Sequence, residues 1–177
     1  AYDKKNDISN KKQHYPETQA WIGLHPQVLQ TTYNDIYSAL SLLKQFKINR
    51  VVDVGAGYGR VGIVMKSLFS KSEFIGLEIV EKRLEEGNRI FNEYGLSKCK
   101  IHNVNVLESN FKLPEADIYF IYDFSEKSHI SQILSILSKR LVYKNFFLIT
   151  HGDRIDYLIK KKYKEFWLTN GHLSSGA

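Results

Sequence analysis

Two carboxylates and three glycines between Val51 and Glu78 are spaced to hold a ligand. The run Val51-Val52-Asp53-Val54-Gly55-Ala56-Gly57-Tyr58-Gly59-Arg60 joins a short β-branched strand to a turn with glycine at every second position. Val61, Val64, Met65, Leu68 and Phe69 then recur at helical spacing. Strand, glycine turn and helix is how open α/β sheets bring backbone N–H groups and a helix N-terminus to a nucleotide-like ligand. The next strand, Phe74-Ile75-Gly76-Leu77-Glu78, ends in a carboxylate about 20 residues past the glycines, where such folds bind ribose hydroxyls. A carboxylate can accept two hydrogen bonds from a vicinal diol. The competing readings are a turn that only lets strand and helix pack closely, and a Glu78 that is a solvated strand end.

The glycine spacing narrows the ligand. A dinucleotide fingerprint needs G-x-G-x-x-G, and the third glycine's place is taken by Arg60. The pattern G-x-G-x-G, with an acid two residues before the first glycine, resembles motif I of the seven-strand, class I S-adenosyl-L-methionine (SAM) methyltransferases. The resemblance covers residues 31 to about 150. It implies SAM as cofactor, with Gly55, Gly57 and Gly59 letting the backbone approach the methionine moiety. It implies that Asp53 helps to hold the methionine ammonium and that Glu78 takes the ribose. Strand three runs into His102-Asn103-Val104-Asn105-Val106-Leu107. In the family an acid here meets the adenine amino group, and Asn105 stands in its place. The Asn105 carbonyl can accept from the adenine amine, and the adjoining Val106 backbone N–H can serve a ring nitrogen. An Asn that merely ends the strand is the alternative.

Strand four ends in Tyr122-Asp123-Phe124-Ser125, at the edge where open α/β sheets bind ligands. Many amino-group methyltransferases carry Asn/Asp-Pro-Pro-aromatic here, and this chain has neither proline. Asp123 is a candidate to orient a substrate amine or receive its proton, or else to cap the next helix. Tyr122 is a candidate aromatic wall for a cationic amine. Thr31-Thr32-Tyr33-Asn34-Asp35-Ile36 is similar to the loop of small lysine-directed methyltransferases, including the histone-lysine enzymes of the telomeric-silencing type. That likeness implies that Thr32 and Tyr33 cap the cofactor's carboxylate end, with Tyr15 and Trp21 as channel aromatics; ordinary aromatic packing is the alternative. The expected activity is in-line methyl transfer to a protein amine, a lysine side chain foremost, which needs alignment and desolvation but no strong nucleophile or metal. Other readings are an RNA or small-molecule methyltransferase, a non-catalytic SAM-fold module, and, disfavoured by Arg60, a nicotinamide oxidoreductase.

Remaining reactive side chains argue for little else. Cys99 is the single cysteine, which excludes an internal disulfide and a multi-cysteine zinc site. It falls at the start of strand three, away from the ligand edge, so a cysteine-nucleophile mechanism is not expected. His14, His25, His102, His129, His151 and His172 show no metal-ligand spacing.

The elements that must position these residues follow from periodicity. A helix is predicted from Thr32 to Phe46, then strand one at 50–54. A helix follows the glycines, strand two ends at Glu78, and a helix from Val80 to Tyr94 closes at Gly95. Strands are expected at 99–104, 117–122 and 145–150. A helix capped by Ser125 buries Ile130, Ile133, Leu134, Leu137 and Leu141. A short helix through Ile155 and Leu158 and a strand at 164–169 complete the pattern. Alternating strands and helices predict α/β architecture: one doubly wound, mostly parallel sheet with helices on both faces. The family sheet ends in an antiparallel pair, whereas about 27 residues follow Thr150, so a shortened C-terminus is expected. Residues 1–30 read as an N-terminal extension and 31–177 as the SAM-binding domain.

At 177 residues with 43% hydrophobic content the chain suits one globular core. No apolar run reaches a membrane span, and Ala1 to Gln13 is polar and lysine-rich with no secretion-signal core. A cytoplasmic protein is expected. The net charge of +6 permits an anionic partner such as nucleic acid, although an AT-rich coding bias accounts for the same lysines.

Overall fold

The computed structural model describes residues 31–166. The N-terminal extension with Tyr15 and Trp21, and the positions 167–169 of the expected last strand, lie outside the described residues.

Helix α1 spans Tyr33–Ser41. Thr32 caps it: its hydroxyl accepts from the Asp35 N–H at 3.1 Å and donates to Asp35 Oδ2 at 2.6 Å. Ile36 and Leu40, one turn apart, are its buried residues. The helix is shorter than predicted. Bonds from Leu43 N–H to Leu40 O and from Phe46 N–H to Leu43 O wind the chain more tightly after Ser41. The Phe46 ring ends 4.7 Å from that of Phe147.

Then come β1 (Arg50–Val54), α2 (Arg60–Leu68), β2 (Glu73–Glu78), α3 (Glu81–Glu93), β3 (Cys99–Asn103), β4 (Ile118–Tyr122), α4 (Lys127–Leu141), β5 (Phe147–His151) and α5 (Asp153–Lys161). Gly95, at φ 64°, follows α3 as a left-handed stop. Lys164–Phe166 is a 3₁₀ turn and not the start of a strand. The turn sets the Phe166 ring 6.2 Å from both Phe146 and Tyr163, on the α4–α5 side of the sheet.

The five strands are parallel, in the order β3-β2-β1-β4-β5. Alternation along each strand divides the core. Val51, Phe74, Ile101, Ile118 and Phe120 pack with residues of α1, α2 and α3, while Val52, Val54, Leu77, Tyr119 and Ile121 pack with α4 and α5. β4 is buried on both faces, as its apolar sequence requires. Each isoleucine removed from water there contributes about 1.5–3 kcal/mol before ordering costs. By the same alternation Asp53, Glu78, Tyr122 and His151 fall on the α1–α3 face and Asp123 on the other. Strand order reverses between β1 and β4, so the carboxyl ends of these strands border the crevice where such sheets take ligands.

Candidate functional site

The glycine turn sits at the carboxyl end of β1. Gly55, Gly57 and Gly59 have φ of 81°, 53° and 74°, conformations that strain any residue with a Cβ. A Cβ on Gly59 would overlap the Phe91 ring, and one on Gly55 would lie 2.8 Å from Phe124 Cβ. Gly57 differs: nothing lies within 4 Å of where its Cβ would be. Four of the turn's N–H groups are already used. Gly55 and Ala56 donate to Leu77 O at 2.9 and 3.0 Å, and Gly59 to Ala56 O at 2.8 Å. Gly57 donates to Glu78 Oε2 at 2.7 Å. Sequence reading offered these groups to the ligand; the fold uses three of them to lock the turn to β2 and one to close the turn on itself. What remains is a bare backbone face at Gly57, suited to close van der Waals approach.

Asp53 and Glu78 have opposite surroundings. Glu78, 5% exposed, accepts from Gly57 through Oε2 and from the Ile79 and Val80 N–H groups through Oε1, at 2.9 and 2.8 Å. Three of about four acceptor positions of a carboxylate are filled. One position on Oε2 is left for a hydroxyl, so the expected pair of ribose bonds reduces to one. Asp53 is 4% exposed, and among the described residues no group donates to its side chain. Burial, and secondly the negative charge of Glu78, push its carboxyl up to about 8. Such a carboxyl keeps its proton at neutral pH unless a cation is brought beside it.

Other predicted site residues are placed as follows. Asn105 turns its side-chain oxygen onto the Leu107 N–H at 3.0 Å, an Asx turn that shapes the loop after β3. Val106 is buried in the core on the α4–α5 side. Thr32 is occupied as the α1 cap, so its hydroxyl is held by Asp35. Tyr33 is half exposed, and its ring lies 5.0 Å under the Arg60 guanidinium. Arg60 also donates to Thr31 O at 3.3 Å. This contact between the glycine turn and the start of α1 has no periodic signature, and sequence reading registered Arg60 only as the missing third glycine.

At the end of β4, Asp123 is 5% exposed, and its two carboxylate oxygens each accept a backbone N–H of the first turn of α5, from Arg154 and Ile155 at 2.9 Å. It caps a helix across the sheet edge, the alternative noted for it, although the helix is α5 and not the one that follows it in sequence. Both oxygens are therefore turned to helix donors and away from the place of a substrate amine's base. Gly152 allows this approach, since a Cβ there would overlap the Asp123 carboxylate. Tyr122, half-buried, stacks on His151 with centroids 5.1 Å apart and planes at 22°. Burial, then the charges of Asp123 and Asp153, raise the Tyr122 phenol, which keeps its proton. Ser125 is fully buried and pairs with His129 Nδ1 at 2.8 Å, while Glu126 takes the N-cap position of α4. The spacing of four between Ser125 and His129 was the available signal for that pair.

Cys99 lies at the opposite end of the sheet with its thiol pushed up by burial to about 11, so it stays a thiol. A groove of about 230 Å³ at that far edge is lined by charges that pair with one another, Arg50 with Glu73 at 2.6 Å among them. Among the described residues no three His, Cys, Asp or Glu side chains converge as a metal site, and no described helix is long and apolar enough to cross a membrane.

Solved methyltransferase structures share this fold. A precorrin-6y C5,15-methyltransferase from Geobacter metallireducens GS-15 superposes with TM-score 0.62 at 21% identity, over 78% of this chain and 71% of that one. The N-terminal domain of EvdMO1 with bound S-adenosylhomocysteine (SAH) gives 0.55 at 13% identity, over 83% and 61%. An RNA methyltransferase from Salinibacter ruber in complex with SAH gives 0.51 at 18% identity, over 62% and 69%. The chain spans less than half the length of two further matches, 46% of a YcgJ protein from a Bacillus species and 37% of an O-methyltransferase from Brevibacillus brevis. No family profile and no curated protein matches the sequence.

Proposed function

We propose that this protein is a SAM-dependent methyltransferase. The observation that carries the reading is the pairing of a bare Gly57 face with the buried carboxyl of Asp53, which has no donor among the described residues. A nucleotide phosphate would meet two buried acids, Asp53 and Glu78, with the Gly55, Ala56, Gly57 and Gly59 N–H groups already used. A methionine ammonium would meet its counter-charge. Two of the fold's structural neighbours were solved with SAH bound, which agrees with this.

When bound, SAM supplies a methyl group made electrophilic by its sulfonium. The protein's own part is placement. Asp53 would hold the ammonium, Glu78 Oε2 would take one ribose hydroxyl, and the loop containing Asn105 and Val106 would border the adenine. Gly55 and Gly59 keep the turn close to Phe124 and Phe91 so that Gly57 stays bare.

The acceptor we favour is an amine on a protein, foremost a lysine. Support comes from the Tyr122–His151 stack at the carboxyl ends of β4 and β5, an aromatic wall against which a cationic amine gains a cation–π contact. An amine would need to give up its proton to accept the methyl group, so the site needs a proton acceptor beside it. With both Asp123 oxygens on α5, exposed His151 is the better proton acceptor. Incubation of a cell lysate with methyl-labelled SAM and this protein, followed by separate nuclease and protease digestion, tests the class. Label released only by protease supports the amine reading, and label only on RNA or metabolites overturns it.

A further inference from the structure

We infer that Arg60, braced on Tyr33, binds the α-carboxylate of the ligand's amino-acid headgroup and makes the site selective for ligands that carry one. This rests on the SAM reading above and adds a residue and a specificity to it.

Arg60 is the first residue of α2, directly after left-handed Gly59. Its guanidinium stacks over the Tyr33 ring at 5.0 Å and gives one N–H to Thr31 O at a long 3.3 Å. A guanidinium has five N–H donors in a planar fork that matches a carboxylate. Among the described residues no carboxylate pairs with it, although other surface arginines of the chain, Arg50 and Arg89, do have acidic partners. The first turn of α2 carries no acid and its N-cap makes no side-chain bond, so its dipole adds to the positive potential at Arg60.

The second observation lies across the turn. Asp53 is nine-tenths buried with no donor among the described residues, and it stands on the sheet face covered by α1 and α2, the helices joined by Arg60 and Tyr33. A buried acid without a cation and an arginine without an anion flank one bare glycine turn. Their charges complement the ammonium and carboxylate of an α-amino acid. Tyr33 is a positioning residue, since it holds the guanidinium plane and contributes no charge. Because Arg60 ties the turn to Thr31, carboxylate binding also couples the ligand to the start of α1.

Two ligands separate the headgroup from the rest: SAH, and 5′-methylthioadenosine, which shares the adenosine and sulfur but lacks the amino acid. Calorimetric titrations of each use the parent chain, Arg60→Gln, Arg60→Lys and Tyr33→Leu, with circular dichroism confirming the fold. Arg60→Gln is expected to weaken SAH by about tenfold or more, the scale of one lost charge-assisted bond, and to leave methylthioadenosine unchanged. Arg60→Lys should recover part of the loss. Tyr33→Leu should show a smaller loss of the same selectivity. Equal losses for both ligands, or no loss for SAH, would overturn the inference while the cofactor reading stands. A parent chain that binds neither ligand would overturn both.

Discussion

Replacing Asp53 with Asn should stabilise the protein and disable it, with a pH dependence fixed by one carboxyl. In the folded chain burial and Glu78 hold Asp53 at about 8, against an ordinary 3.8. Between those values the native state keeps a proton that the unfolded state releases, so unfolding sheds protons and stability falls as pH rises from about 4 to about 8. Each pH unit is worth up to about 1.4 kcal/mol, so the full span has a ceiling of ~5–6 kcal/mol. Water penetration and relaxation reduce the realised effect to a few kcal/mol. Asn has nearly the shape of the protonated acid and cannot ionise. At pH 4.5 the two proteins should therefore have similar stability, and by pH 8 Asp53→Asn should be more stable by a few kcal/mol. Urea unfolding at half-unit steps across this range measures it, with equal m-values as the control. The same variant should bind SAH weakly, because its headgroup ammonium loses the counter-charge. A stability difference that does not change with pH, or an Asn variant that binds SAH like the parent, would refute the assignment of a strained, ligand-directed carboxyl.

Other perturbations have equally definite outcomes. Glu78→Gln should cost both stability and SAH affinity, the latter by about tenfold or more, because Gln has one acceptor oxygen and its amide nitrogen must then face either the Gly57 N–H or those of Ile79 and Val80; thermal melts and titration read the two losses together. Gly152→Ala should destabilise by more than ~2 kcal/mol in urea unfolding, since its Cβ would overlap Asp123 at a φ of 126°. Cys99 should resist a thiol reagent in the native state at pH 8 and react on unfolding, as its buried thiol is held at about 11; prompt native-state labelling would contradict this.

The sheet was legible because its signals are local and periodic. Strand one came out at its observed bounds, strand two ends at Glu78, and the buried stripe Ile130, Ile133, Leu134 and Leu137 lies on the α4 core face as its spacing implies. Misses arose where tertiary contacts decide the outcome. The first helix ends early as the tighter winding carries Phe46 to Phe147, and Lys164–Phe166 coils against Tyr163 and Phe146 where its apolar residues read as a strand. Sequence gave Arg140 no inward role, yet it is buried with its guanidinium on the carbonyls of Leu113 and Pro114 and on the Tyr119 hydroxyl. The positions of Asp53 and Glu78 could be read from motif spacing, but not what each carboxylate does. Glu78 is held by three backbone N–H groups and Asp53 by none among the described residues, a difference that exists only once β1, β2 and the turn are assembled. Asp123 likewise meets α5 across 31 and 32 residues of sequence, a separation no local pattern reveals.

The central claim is that the carboxyl edge of β1 and β4 holds SAM through an acid that must ionise to do so. Titration calorimetry with SAH at pH 6.0 and pH 7.5, in buffers of different ionisation enthalpy, tests it most directly. The ligand's ammonium is charged throughout, and Asp53 begins largely protonated. We expect one site per chain, release of close to one proton at the lower pH, and binding that tightens by up to about tenfold per pH unit. Binding with no proton release would contradict the role of Asp53, and the absence of any heat at millimolar SAH would contradict the methyltransferase account itself.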